Sequence, residues 1–113
     1  MTAVVLTPQV SLRQPVESFS YPSLARRVTA TTTSQNVALT SGIRAITIHV
    51  RDAACRVAIG SGPQTANATS SVFLPQGSTT TFQTPLNGAA NLAVIRDTAA
   101  AVNSVLEITE LRS

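Results

Sequence analysis

From Ala25 onward the chain never sustains one apolar run for long. Turn chemistry interrupts it roughly every eight to twelve residues, the spacing of all-β domains, and within most runs apolar side chains return at every second position. A surface helix needs apolar residues three and four apart through several turns, and no segment supplies them. The candidate strands are RRVTATTT, QNVALT, IRAITIHV, CRVAI, SSVFLP, STTTFQTP, ANLAVIR and SVLEITEL. Without crossover helices a parallel sheet has no connections. The expected fold is therefore all-β: an antiparallel β-sandwich or β-barrel, jelly-roll-like, with an extended N-terminal arm.

Alternation assigns the faces. Ile46, Ile48 and Val50 share one side of their strand, with Ala45, Thr47 and His49 on the other. Cys55, Val57 and Ile59 point inward from the next, and Leu106 and Ile108 alternate with Glu107 and Thr109. The short Arg51-Asp52-Ala53 link suggests that the strands around it form a hairpin. RRVTATTT and QNVALT, joined near Ser34, read as one bent strand or as a hairpin. Gln76-Gly77 and Asn87-Gly88 are turn signals, and DTAAAVN is too short for a stable helix and reads as a loop or single turn.

Gly60-Ser61-Gly62 raises the question of a phosphate-cradling loop. Such loops feed a helix N-terminus, whose free N–H groups hold the phosphates. Here Pro63 and the polar run 67–71 follow, a third glycine at position 65 is replaced by Thr65, and no Gly-Lys pair occurs. A bend between strands is the expected reading, with no nucleotide and no other cofactor.

Residues 1–24 differ from the rest. Pro8, Pro15 and Pro22 are evenly spaced and keep the segment extended. Yet Val4, Val5, Leu6, Val10, Leu12, Val16, Phe19 and Tyr21 make it too apolar for a solvated tail. An arm of this kind wants a surface, either on its own domain or on a neighbouring subunit. The chain thus divides into an extended arm, 1–24, and a β-domain, 25–113. Val10, Leu12, Arg13, Phe19, Tyr21, Arg26 and Arg27 are the candidate partner-interface residues.

The 113 residues suit one domain that folds without staples. Hydrophobic residues make up 43% and charged residues 12%, so Thr and Ser supply much of the polar surface. The net charge of +3 comes from eight arginines and no lysine, spread along the chain among few aromatics. That is not the clustered pattern of a nucleic-acid binder, and no nucleic-acid partner is expected. Arg56 and Arg96 read as outward alternates of their strands or as intersubunit partners for carboxylates. With Ala45, Ala54 and Ala58 expected on the outer faces and little charge to keep copies apart, self-association as a trimer is expected.

The lone Cys55 sits in an apolar run and reads as a buried small hydrophobe. Asn67-Ala68-Thr69 matches a glycosylation sequon, but no secretory signal and no membrane-spanning run is seen, so the sequon reads as chance and no membrane partner is expected. His49 is the only histidine and has no carboxylate at a ligand-like offset, so no metal site is expected. No nucleophile elbow is present. Glu107 and Glu110, three apart on a strand, face opposite ways and cannot form a facing acid pair; solvation or Arg partners is their expected role. No catalytic set and no small-molecule substrate is expected.

The segments VAIGSGPQTANATSSVFLPQGSTTTF and NLAVIRDTAAAVNSVLEITEL resemble a recurrent pattern in small virion proteins of tailed bacteriophages. There a GxG turn leads through small polar residues to an S-x-x-LP-x-G step and a strand, and the chain ends in AVIRD…L-x-ITEL. The resemblance spans about residues 43–111 and does not include the arm. It implies a non-enzymatic capsid cement or decoration protein, a homotrimer bound to the major capsid protein on the outer head surface and assembled in the bacterial cytoplasm. A neck, tail or head-fibre protein is the alternative within the virion. A small carbohydrate-binding β-sandwich is the alternative outside it, disfavoured by the absence of Trp.

Overall fold

The structure, a computed structural model, describes residues 21–85 and 89–112. Eight strands are present: β1 (Tyr21–Ala30), β2 (Gln35–Ala38), β3 (Ala45–Arg51), β4 (Cys55–Ser61), β5 (Val72–Leu74), β6 (Thr79–Gln83), β7 (Ala90–Arg96) and β8 (Ser104–Arg112). They form two four-stranded antiparallel sheets, ordered β1-β8-β3-β6 and β2-β7-β4-β5. Strand pairs nest, β1 with β8, β2 with β7, β3 with β6 and β4 with β5. The chain behaves as one long hairpin folded over on itself, which is the jelly-roll arrangement.

Alternation places the core where the sequence predicts it. Ile46, Ile48 and Val50 of β3 and Leu106 and Ile108 of β8 meet Val57 of β4 and Leu92 and Val94 of β7 across the two inner faces, all buried. Each such side chain contributes about 1.5–3 kcal/mol relative to exposure. Cys55 is buried among them.

Four expectations change. First, β3 and β4 are not a hairpin, since they lie in different sheets, and β1 and β2 likewise. Both short links arch from one sheet to the other; the β3–β4 link uses Asp52 at φ 72° to reverse direction. Second, β1 begins at Tyr21, paired with Arg112, so the sandwich takes in residues 21–24 that the arm was expected to hold. Third, the Gly60 break is absent. β4 runs on through Ser61, and only Gly62, at φ +71°, turns the chain. Ala45 is also fully buried, although alternation puts it on the outward side. The Asn87-Gly88 turn lies outside the described residues.

Beyond Gly62 the chain lies flat across the outer face of the β2-β7-β4-β5 sheet. Ala66 and Ala68 of this strap pack on Ala58, Ala93 and Ile95, a second small apolar cluster. Polar pegs fix it: Gln64 N–H donates to Asn36 Oδ1 (2.8 Å), Ala66 N–H to Ser34 Oγ (2.9 Å), and Thr98 Oγ1 to the Ala68 carbonyl (2.9 Å). The glycine-containing segment is thus a strap seated on alanines. A Cβ on Gly60 would lie 2.6 Å from the amide end of the Gln64 side chain, which would have to turn aside.

Candidate functional site

A two-sheet sandwich has two flanks where its sheets part, and here they are treated differently. On the β1/β2 flank, Arg26 points inward from the edge strand. Its Nη2 donates to Glu110 Oε2 at 2.9 Å and its Nη1 to the Ala38 carbonyl of β2 at 3.2 Å. Thr40 N–H also donates to Glu110 Oε2, at 3.2 Å. Glu110 is completely buried. These bonds bridge the sheets and seal that flank, and an inward charge also discourages pairing along the edge.

The opposite flank, between β5 and β6, is open. A cleft of about 460 Å³ runs between the sheet edges, lined by Val57, Ile59 and Val72 on one side and Phe82, Thr84 and Pro85 on the other. Val72 pairs with Val57 and shares its inward direction, yet it is 53% exposed. It is a core side chain without a complete core. β5 is three residues long and has only β4 beside it, so nothing of the sheet covers Val72.

The neighbouring residue, Phe73, faces outward and is 45% exposed. The Arg56 guanidinium lies 5.1 Å from its ring centroid, donates to Asp97 Oδ1 at 2.7 Å and to the Ser71 carbonyl at 2.9 Å. Arg56, with the Ala99 N–H, holds the Asp97 carboxyl below the usual carboxylate range. Beside this group a shallow basin of about 390 Å³ includes Phe73, Ala99, Ala101 and Val102, the last 54% exposed. β5 therefore carries apolar surface on both of its sides.

The outer face of the β1-β8-β3-β6 sheet is polar. Glu107 Oε2 accepts from Arg27 Nε and Arg51 Nη1, each at 2.7 Å, and Arg51 first and then Arg27 hold its carboxyl below the ordinary value. His49 stands between Glu107 and Thr79 in register, with Nδ1 2.8 Å from Thr79 Oγ1. A hydroxyl, an imidazole and a carboxylate thus share one row. The row lies on an exposed sheet face, and the carboxylate oxygen is committed to two guanidiniums. Nucleophile activation needs a carboxylate free to orient the imidazole and donors aimed at the developing oxyanion. Burial pushes the Cys55 thiol up to about 11, against a hydrogen bond with Ser104, so it is held as the unreactive thiol. Among the described residues no three His, Cys, Asp or Glu side chains gather as a metal site.

Of the seven candidate interface residues, Val10, Leu12, Arg13 and Phe19 lie outside the described residues. Tyr21 starts β1. Arg26 and Arg27 are engaged within the chain, on opposite faces of β1, and are not gathered into one surface. Arg56 pairs within the chain with Asp97 and Arg96 with Asn103. The apolar surfaces beside β5 were not foreseen: SSVFLP reads as an ordinary strand, and only its place at a sheet edge exposes Val72 and Phe73. No family model matches the chain, and comparisons with curated proteins and with solved structures find no match.

Proposed function

We propose that this chain is a non-enzymatic structural subunit of a tailed-bacteriophage virion, a cement protein that binds the major capsid protein on the outer head as a trimer. The observation that carries the reading is the exposed apolar surface formed by Phe73 and Val102 beside β5, on a jelly roll whose Arg26, Arg27, Arg51 and Arg56 are all engaged by its own carboxylates. Such a surface adheres by burial of apolar area, worth about 25 cal/mol per Å² before ordering costs. Repetition over a shell multiplies a modest affinity per contact. The sequence pattern over residues 43–111 supports the virion setting.

The test is addition of the purified full chain to heads that lack it. Saturable co-sedimentation in hundreds of copies per particle, with a raised temperature of DNA release, is the expected result. Binding of about a dozen copies to necks or tails would move the protein to a connector. No binding to any virion part would overturn the reading.

A further inference from the structure

We infer that the cleft between β5 and β6 is the seat of an extended segment from a second copy of this chain, residues 9–14, with Val10 and Leu12 as the inserted side chains. The inference concerns copies of this chain alone and does not draw on the virion reading.

The cleft defines the ligand. Its wall is aliphatic and aromatic, it exposes the inward-facing Val72, and at about 460 Å³ it lies within the roughly 300–1,000 Å³ range of clefts that enclose small ligands. Among the described strands, both that frame it are edge strands, β5 beside β4 only and β6 beside β3 only. Each therefore has one side on which no described strand is paired. The matching ligand is an extended peptide that supplies backbone bonds to an edge and alternate apolar side chains to the cleft.

The chain contains such a peptide. Residues 9–14, QVSLRQ, lie between Pro8 and Pro15, are themselves free of proline, and alternate Val10 and Leu12 with Ser11 and Arg13. The prolines on either side limit pairing to a short edge addition, which suits edges only three and five residues long.

Position supplies the donor. Pro22, Leu111, Ala45 and Gln83 form one row across the sheet, and Gln83 lines the cleft. β1 therefore begins level with the cleft but three strand spacings away, about 14 Å, on the opposite edge. Between them the sheet's ladder continues past the strand ends: Arg44 N–H donates to the Leu111 carbonyl, Thr84 N–H to the Arg44 carbonyl and Thr84 Oγ1 to the Ile43 carbonyl. Donor and acceptor on opposite edges are the elements of a head-to-tail interface. In it each copy's β1 edge faces the next copy's cleft, and a suitable rotation closes the ring. The nine residues from Leu12 to Tyr21 reach up to about 30 Å, enough to cross to a neighbour.

Two measurements on the full chain test this. In the double variant Leu12→Cys, Val72→Cys, oxidation should give covalent oligomers on non-reducing gels, sensitive to reductant. A cross-link confined to the monomer, or none, would overturn the inference. By analytical ultracentrifugation the unaltered chain should associate at micromolar concentration, and Val72→Asp should weaken that association at least tenfold. Val72 is half exposed, so the circular dichroism and melting of V72D should match the parent. A parent that stays monomeric throughout the micromolar range, or a V72D protein that associates as tightly, would equally overturn it. Heads are absent from both measurements, so failure here is distinct from failure of the virion reading.

Discussion

Glu110 occupies a position that the alternation of Leu106 and Ile108 reserves for an aliphatic side chain. It is tolerated there because Arg26 and the Thr40 N–H meet it across the parting of the sheets. Removing one partner of a buried pair leaves the other's charge uncompensated, at about 3–5 kcal/mol when both are fully buried. Arg26 keeps some access to solvent, so Glu110→Ala should cost about 2–3 kcal/mol. Glu107→Ala, on the solvent-facing side of the same strand, should cost markedly less, since solvent screens its pairs. Urea unfolding of the two variants checks the contrast. That Glu107 and Glu110 face opposite ways is legible in the sequence from their spacing, which leaves solvent or arginine as their partners. Which arginines they meet is not, because β1 lies some 80 residues away in the chain.

Strands are visible in this sequence as isolated objects, but their pairing is not. The period-two pattern of β3 and β4 is the same whether their short link turns back within a sheet or arches to the other, since both routes bury Ile46, Ile48, Cys55 and Val57. The strap was missed for a related reason. β7 is buried on both faces, and its run ANLAVI is more continuous than one-sided burial requires, a signal that something covers its outer side. The cover is a loop of small residues with no periodicity of its own. Its seat depends on small side chains beneath it, so Ala93→Leu should lift the strap and cost about 1–3 kcal/mol as overpacking does. Limited proteolysis should then cut within residues 62–71 before the strands are attacked, whereas the parent should resist there.

Across the whole molecule, carboxylates hold distant elements together: Glu107 joins β8 to β1 and β3, and Asp97 ties the turn after β7 to β4. Both carboxyls are depressed in the folded chain, so folding favours their charged forms. The stability they add is fully present above the unfolded carboxylate value of about 4 and is lost as pH falls through the lower folded values. Melting temperature should therefore stay level from neutrality to about pH 5 and drop below about pH 4. Glu107→Gln should lessen the drop, and added salt should shrink the share due to Glu107, whose partners are exposed. A scan of melting temperature against pH for parent and variant measures both effects.

β8 lies at the middle of its sheet, between β1 and β3, although it is made after the seven other described strands. Until residues 104–112 have left the ribosome, β1 has no neighbour among the described strands and β3 lacks one of its two. Strands made early must therefore wait, solvated and unpaired, for their central partner. Closure between segments so far apart in sequence is slow, on the order of milliseconds to seconds. During that interval exposed strand edges can meet those of other nascent chains. Synthesis rate, and not only final stability, thus governs how much of this protein reaches its native form.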